Sequence, residues 1–194
     1  MLLLASQSPR RRELLTQLGV KFTTLNVDID ETQLINERSN DYVSRLAIEK
    51  AKQGWLQSHD INGALGADTI VVVGSGNDEV ILGKPTDFQH AKYMWQQLSG
   101  KQHTVMTAVA LQTKTQCYQC MVATQVYFKS LSESEMHWYW NTGEPHDKAG
   151  GYGIQGLAGQ FIKHIKGSYS AVVGLPLYET SELIKQAGIE LYEC

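Results

Sequence analysis

The sequence predicts an α/β protein whose central sheet is covered by helices. Two apolar runs, Leu2–Ala5 and Leu65–Val73, have the composition of buried strands. The second run is almost continuously apolar, as expected of a central strand that is covered on both faces. Helical periodicity over about residues 9–18 and 40–55 separates the two runs, so strands and helices alternate along the chain.

A turn and a helix follow the first strand. Ser8 is placed to cap this helix, and Pro9 suits its first position because no backbone N–H is needed there. Leucines recur at helical spacing as far as Leu18, and Gly19 provides a stop signal. The carboxyl end of the strand and the N-terminus of the helix therefore meet, at the edge where ligands bind in α/β sheets.

Three arginines, Arg10–Arg12, occupy the first turn of this predicted helix. Cations are unfavourable there, because a helix N-terminus carries partial positive charge and unpaired N–H groups. An anion would offset that cost, and arginines with the Ser6 and Ser8 hydroxyls and backbone amides would form a phosphate site. A solvated basic patch at the start of a surface helix would contain the same arginines, so both interpretations stay open on this segment alone.

A strand over residues 22–27, an acidic loop over residues 28–32 and a long helix come next. Asn40 is placed to cap that helix, which extends to about Trp55. Its apolar stripe consists of Tyr42, Val43, Leu46, Ala47 and Ala51. Lys50 falls on the same stripe, so it either extends along it to solvent or points into a cleft. We favour the cleft.

One carboxylate, Asp68, interrupts the start of the buried run. A buried charge is costly without a partner, so we expect Asp68 to meet a cation, a metal or a cluster of donors. The alternative is an aspartate that hydrogen-bonds to backbone at the end of a strand. We favour a functional role.

The second half of the sequence predicts a hairpin, two helices, two strands and a glycine-rich loop. The hairpin turns at residues 74–79, and residues 87–98 form a helix that Gly100 stops. Strands follow near 103–112 and 119–129. Ser132 and Glu135 form a capping box for a helix that reaches Asn141.

The glycine-rich stretch over residues 143–156 contains Lys148 and Gln155. Such a stretch either approaches a ligand closely or makes simple turns. The final helix ends near Gly188. We expect the four histidines His103, His137, His146 and His164 to be structural or exposed rather than metal ligands.

Composition excludes several classes of protein. The net charge of −3 gives no global field that would attract nucleic acid, so any anion site is local. No segment approaches the roughly 20 apolar residues that span a bilayer, which predicts no membrane partner. Three cysteines without a secreted-scaffold pattern favour the reducing cytoplasm. Cys117 and Cys120 form a lone CxxC in a predicted strand, where we expect structural or incidental thiols rather than a zinc or redox pair.

Seven short motifs in one order resemble the Maf family of nucleoside triphosphate pyrophosphatases. They are SQSPRRREL from Ser6, Glu49-Lys50-Ala51, Gly66-Ala67-Asp68-Thr69, Gly83-Lys84-Pro85, Leu98-Ser99-Gly100, the stretch from Gly143 to Gly156, and Val173-Gly174-Leu175-Pro176. Together they cover nearly the whole chain, residues 1–194, as one domain without a separable linker. The resemblance implies a Maf/ITPase-like fold: a mixed, elongated central sheet flanked by helices, in two lobes with a cleft.

The resemblance also implies an activity. Family members hydrolyse nucleoside triphosphates between the α and β phosphates with a divalent metal, Mg²⁺ or Mn²⁺, and are often homodimers. One subgroup prefers dTTP and UTP, and the chain resembles it at Arg10, Thr69 and Gln155. Another subgroup, which prefers 7-methyl-GTP, has different residues after the aspartate and in the glycine-rich loop. The departures are small: Gly151 replaces a common alanine, and the hairpin tip is somewhat long.

The residue roles that follow are hypotheses. Arg10, Arg11, Lys50, Lys84 and Lys148 neutralise and orient the triphosphate, with Ser6 and Ser8 completing the cradle. Asp68 is the general base and a metal ligand, and Glu31 is a second ligand of the metal or of water. Arg10, Thr69 and Gln155 select the pyrimidine. The alternatives are a nucleotide-binding regulator of septum formation with slow or no turnover, and a phosphatase that releases orthophosphate.

Overall fold

A computed structural model describes residues 1–191; residues 192–194, which include Cys194, lie outside this description. The described strands are β1 (Leu2–Ala5), β2 (Phe22–Leu25), β3 (Gly63–Val73), β4 (Val80–Leu82), β5 (Gln102–Gln112), β6 (Cys117–Phe128) and β7 (Ile162–Lys166). The α-helices are α1 (Pro9–Gln17), α2 (Ser39–Leu56), α3 (Phe88–Leu98), α4 (Glu133–Asn141), α5 (Tyr169–Val173) and α6 (Leu177–Gln186). Short 3₁₀ turns occupy Gly76–Asp78, Glu144–Asp147, Ala149–Gly151 and Leu157–Phe161.

The strands form one mixed sheet in the order β2-β1-β3-β5-β6-β7, and β4 pairs with β3. β1 lies parallel to both β2 and β3, whereas β3 with β4 and β6 with β7 are antiparallel pairs. β3 is buried along nearly its whole length. The predicted α/β class with a mixed sheet is therefore confirmed, and the continuous apolar run is a central strand.

The length of β2 is set by its neighbour. Leu2 of β1 pairs with Phe22 and Ala5 pairs with Leu25, so β1 offers partners to only four residues. The prediction that this strand reaches Val27 was therefore wrong by two residues. Beyond Leu25 the backbone has no strand beside it with which to pair, and the chain enters an irregular segment that ends at α2.

The observed N-terminal caps of α1 and α2 differ from the two predicted ones. Pro9 is the first residue of α1 as expected, but the Ser8 side chain at the N-cap makes no capping hydrogen bond within the described chain. Instead, the Ser8 N–H donates to the Ser6 hydroxyl over 3.2 Å. α2 begins at Ser39 with Arg38 at its N-cap, so the cap predicted at Asn40 was wrong. The buried Ser39 already belongs to the helix, and Asn40 is exposed.

Close contact between α2 and β3 depends on Gly66. A Cβ atom at Gly66 would clash with the carbonyl oxygen of Ala47 and the backbone nitrogen of Ala51. Those two atoms belong to the helix backbone and cannot turn away. Glycine is required because it alone lets the helix lie directly on the strand.

Several other predictions were confirmed. β3 and β4 form the hairpin, with Val71 opposite Leu82. Ser132 and Glu135 form both halves of the capping box of α4. Two elements were missed. β7 has only five residues, and its half-buried Ile162 and Ile165 are separated by two exposed polar residues, which breaks the alternation of a strand. α5 is equally short, so neither element produces a strong periodic signal.

The chain divides into two compact units. The first contains Met1–Asp68, Thr107–Val122 and the described residues from Gly174 onward; the second contains Thr69–Met106 and Ala123–Val173. In the first, β1 and the inner faces of α1, α2 and α6 are buried. In the second, Trp95, Phe128, Tyr139 and Phe161 are the large members of the core. Among residues 1–191, no helix combines the length and the hydropathy needed to cross a membrane.

Candidate active site

Lys50 is held between two carboxylates in the first unit. Its Nζ lies 2.7 Å from Oδ1 of Asp68 and 2.6 Å from Oε1 of Glu31. The side chains of Lys50 and Asp68 are each only 12% exposed, whereas that of Glu31 is 51% exposed. The cation that the buried Asp68 was expected to meet is therefore Lys50, and the acidic loop supplies the second carboxylate.

The fold of α2 on β3 explains this contact. Side chains alternate along a strand, so Asp68 lies on the same face as Gly66, two residues earlier. Gly66 faces the helix backbone at Ala51, and Lys50 is the residue just before Ala51. The ammonium group on the helix and the carboxylate on the strand thus meet because their backbones approach closely at the glycine.

Two arginines of α1 contribute positive charge to the same cluster. Arg11 Nε donates a hydrogen bond to the Gly174 carbonyl over 2.8 Å, which fixes the direction of its guanidinium. The pKa of Arg11 is lowered from its ordinary value, chiefly by burial. The negative charges of Asp68 and Glu31 oppose this shift, and the positive charge of Arg10 adds to it. Arg10, Glu31 and Asp68 therefore each lie within electrostatic range of Arg11. Arg12, by contrast, is exposed.

Ser6 and Ser8 lie at the start of α1, directly before these arginines. Both are half-buried, and no acidic residue occupies the first turn of the helix. Seven of the predicted residues belong to this first unit: Ser6, Ser8, Arg10, Arg11, Glu31, Lys50 and Asp68.

The glycine-rich loop of the second unit contains Lys148 and Gln155. Lys148 Nζ donates to Oδ1 of Asp147 over 2.6 Å and to the Glu144 carbonyl over 2.5 Å. Its side chain extends along Gly153, where a Cβ atom would lie 2.9 Å from Lys148 Cε and 3.4 Å from Oε1 of Gln155. Lys148 and Gln155 are therefore neighbours, and Gly153 leaves them room.

Two further predicted residues, Lys84 and Thr69, belong to the same unit. Lys84 is exposed and lies in the turn after β4. The preceding residue, Gly83, accepts a hydrogen bond from the Gly150 N–H over 2.9 Å, which joins this turn to the glycine-rich loop. Thr69 follows Asp68 in β3 and is half-buried.

Buried aromatic residues hold the glycine-rich loop in place. Trp95 Nε1 donates to the Gly151 carbonyl over 3.0 Å. The Tyr139 hydroxyl donates to Oε1 of Glu144 over 2.7 Å, and Oε2 of Glu144 accepts from the Leu157 N–H over 2.8 Å. The polar role of Tyr139 could not be predicted from the sequence, because its partners lie in a loop whose path is set by the tertiary structure.

The buried His103 contacts Tyr152, which is itself a residue of the glycine-rich loop. His103 Nε2 and the Tyr152 hydroxyl share a hydrogen bond of 2.7 Å, and both residues are buried. The second nitrogen of His103, Nδ1, is buried without a partner among residues 1–191. Burial lowers the pKa of His103 to about 3, so the imidazole is neutral in the folded protein at neutral pH.

The CxxC pair has the character of ordinary thiols. Cys117 and Cys120 are both free, and each is half-buried at the start of β6. A spacing of three directs two side chains to opposite faces of a strand. Burial raises the pKa of Cys117 and raises that of Cys120 to about 11, so neither is a reactive thiolate at neutral pH.

The family profile described as "Maf-like protein" matches residues 1–187. The chain belongs to the Maf family. Among curated Maf proteins, one from Pseudoalteromonas atlantica (strain T6c) is 55% identical over 197 residues, covering all of both chains. One from Pseudoalteromonas translucida (strain TAC 125) is 54% identical over 94% of each chain. A third, from Vibrio parahaemolyticus, is 49% identical over 95% of this chain and 96% of its own. All three are named dTTP/UTP pyrophosphatase.

The carboxylates of this Maf chain suit a divalent metal that is shared with a phosphate ligand. Asp68 and Glu31 direct oxygen atoms towards one point, where Lys50 Nζ lies. Within residues 1–191, no group of three or more His, Cys, Asp or Glu side chains is arranged to hold a metal ion. Mg²⁺ commonly binds one or two carboxylates and completes its shell with substrate phosphates and water. The residues present fit that arrangement rather than a closed protein cage.

The buried histidine makes stability depend on pH. His103 has a lowered pKa in the folded state and titrates near 6.5 when unfolded, so only the unfolded chain gains this proton as the pH falls from 6.5 towards 3. Its contribution to stability is therefore lost in that window, by about 1.4 kcal/mol per pH unit. We expect His103→Gln to show a shallower fall in unfolding free energy between pH 6.5 and 4.5, measured by urea denaturation.

The matched control is His59→Gln, the same change at an exposed histidine. Curves of equal slope for His103→Gln and the unaltered protein would contradict the assignment of a neutral, buried imidazole.

Proposed function

We propose that the chain hydrolyses dTTP and UTP to the nucleoside monophosphate and pyrophosphate. The observation that carries this proposal is the 55% identity, over the full length of both chains, to a protein named dTTP/UTP pyrophosphatase. The resemblance to the pyrimidine-preferring subgroup at Arg10, Thr69 and Gln155 supports the same substrates. The overall reaction consumes one water and breaks the bridge between the α and β phosphates.

Cationic side chains bind the triphosphate. A fully ionised triphosphate carries four negative charges, so it must be neutralised and oriented before water can attack. The planar guanidinium groups of Arg10 and Arg11 donate paired hydrogen bonds to phosphate oxygens. The ammonium groups act as compact point charges; they belong to Lys50, Lys84 and Lys148. The Ser6 and Ser8 hydroxyls and the first amides of α1 add uncharged donors. The fixed direction of the Arg11 guanidinium supports this role.

Asp68 activates the attacking water as a general base. Lys50 Nζ lies against Oδ1 of Asp68, which holds the carboxylate in one orientation and leaves Oδ2 as the oxygen that accepts the proton. As the water oxygen bonds to phosphorus, the bridging oxygen leaves with the pyrophosphate. The nearby cations stabilise the negative charge that develops on the departing oxygen.

Asp68 and Glu31 are also the residues that would hold Mg²⁺ or Mn²⁺. When bound, such an ion supplies positive charge to the phosphates and makes water more acidic. Lys50 lies between the two carboxylates, which supports a role for this part of the site in binding positive charge. Glu31, on its exposed loop, is the more adaptable of the two ligands.

Gln155 and Thr69 select the pyrimidine, and Arg10 contributes to the choice of nucleotide. An amide both donates and accepts hydrogen bonds, which matches the O4 and N3–H atoms of thymine and uracil. Acceptance of both dTTP and UTP requires weak discrimination at the ribose 2′-hydroxyl and at the 5-methyl group. The exposure of Gln155 and its position near Lys148 in the glycine-rich loop suit a residue that recognises a ligand.

The remaining parts of the proposal concern context. The chain acts as one Maf domain over residues 1–194, as a homodimer in the cytoplasm, without nucleic acid or membrane partners. Its net charge of −3 supports a small, locally bound anion rather than a nucleic acid.

The proposal is tested by incubating the purified chain with each common nucleoside triphosphate and Mg²⁺ or Mn²⁺, and separating pyrophosphate from orthophosphate. We expect pyrophosphate and monophosphate in equal amounts, fastest from dTTP and UTP. Orthophosphate as the first product would indicate a different phosphatase. Tight binding of dTTP without product would indicate the alternative, a nucleotide-binding regulator.

Asp68→Asn tests the general base. Asparagine keeps the shape of the side chain but cannot take a proton from water, so turnover should fall by about 100-fold or more while dTTP binding stays nearly intact. Steady-state kinetics and equilibrium binding measure the two effects. Asp60→Asn, the same change in an exposed turn with positive φ, is the matched control. Near-normal turnover in Asp68→Asn would remove Asp68 from this role.

Gln155→Glu tests base reading. A carboxylate cannot donate to O4 of the pyrimidine, so the preference for dTTP and UTP over other triphosphates should decrease, by about 10-fold in the ratio of kcat/KM values. Gln119→Glu makes the same change at an exposed position on β6 and serves as the control. An unchanged substrate profile would show that Gln155 does not read the base.

A further inference from the structure

Glu31 lies in a long irregular segment whose path needs a separate explanation. Residues 26–38, between β2 and α2, contain neither helix nor strand. Glu31 itself is half-exposed, so solvent screens its ion pair with Lys50 and the pair contributes little on its own. Holding the backbone of several residues in one path costs conformational entropy. Other contacts must therefore keep this segment in place.

Arg45 supplies the strongest of these contacts. Its Nε and Nη2 atoms donate to the two oxygens of Glu37 over 2.6 and 2.9 Å, which is a forked ion pair. Nη2 also donates to the Thr32 carbonyl over 2.9 Å. Glu37 Oε2 in turn accepts from the Leu34 N–H over 3.0 Å. One guanidinium on α2 therefore holds the segment just after Glu31 and again near its end.

Tyr42 adds a contact at Glu31 itself. Its hydroxyl donates to the Glu31 carbonyl over 2.7 Å, and the Arg45 guanidinium lies 5.6 Å from the centre of its ring. Tyr42 and Arg45 are three residues apart, so they share one face of α2. Their hydrogen bonds fix the backbone on both sides of the Glu31 side chain, at Glu31 and at Thr32.

We infer that Arg45 is a positioning residue that holds Glu31 against Lys50. It acts through the Thr32 carbonyl and the Glu37 carboxylate, and it makes no contact with the reacting atoms. The inference rests on the proposed function, in which Glu31 helps to hold a divalent metal. Lysine would keep the charge of Arg45 but could not make the fork, because it has a single donor atom.

The test uses Arg45→Lys with Arg38→Lys as its matched control. Arg38 is an exposed arginine at the N-cap of the same helix. Hydrogen exchange reports on the amides of residues 30–37. Mn²⁺ binding is measured in the presence of a nonhydrolysable α,β-imido analogue of dUTP. We expect faster exchange and about 10-fold weaker Mn²⁺ binding in Arg45→Lys, and neither change in Arg38→Lys.

A double variant separates positioning from general damage. In a Glu31→Gln background the carboxylate that Arg45 positions is already gone, so Arg45→Lys should weaken Mn²⁺ binding no further. A further loss of similar size in that background would overturn the inference, as would unchanged exchange in Arg45→Lys. Tyr42→Phe, which removes one hydroxyl, should accelerate exchange in the same residues and provides a milder variant if Arg45→Lys does not fold.

These readouts do not need turnover. If the unaltered protein releases no pyrophosphate, the proposed function fails by itself. Exchange and Mn²⁺ binding still decide whether Arg45 holds Glu31. Faster exchange without weaker Mn²⁺ binding would overturn the inference even in an active enzyme.

Discussion

The ammonium group of Lys50 is the point on which the first unit depends. Three segments meet there: Lys50 comes from α2, Asp68 from β3, and Glu31 from the irregular segment between β2 and α2. Asp68 is nearly buried, and a carboxylate in that position requires a partner, because removing one member of such a pair leaves the other charge uncompensated. The Lys50–Asp68 ion pair therefore requires close packing of α2 on β3. Gly66 makes that packing possible, because it has no Cβ atom between the two backbones.

The glycine-rich loop of the second unit is held by a different kind of contact. Its backbone is held by Trp95 and by the Tyr139–Glu144 pair, and its own Tyr152 is hydrogen-bonded to the buried His103. These side chains leave Lys148 and Gln155 beside each other. A loop that binds a ligand loses less entropy when its backbone is already fixed. The half-buried Lys148 and the exposed Gln155 thus lie in a loop whose backbone is fixed by other residues.

Each unit by itself contains groups that suit part of the proposed chemistry. The first has a carboxylate pair, a lysine and two arginines, which suits the charged and reacting part of a nucleotide. The second has an amide and further lysines, which suit recognition of a base and additional phosphate charge. The motifs that resemble the Maf family are likewise distributed over both units, along nearly the whole sequence.

Features that depend on local chemistry can be predicted from neighbouring residues alone. The apolar run at β3, the capping box of Ser132 and Glu135, the Pro9 start of α1 and the need of Asp68 for a partner all follow from neighbouring residues and from the cost of burying charge. Three other features are seen only in the tertiary structure. Lys50 is the partner of Asp68, α2 starts at Ser39 rather than Asn40, and Arg45 donates hydrogen bonds to Glu37 and Thr32. These features depend on how closely a helix approaches a strand or a loop, and spacing along the chain contains no measure of that distance.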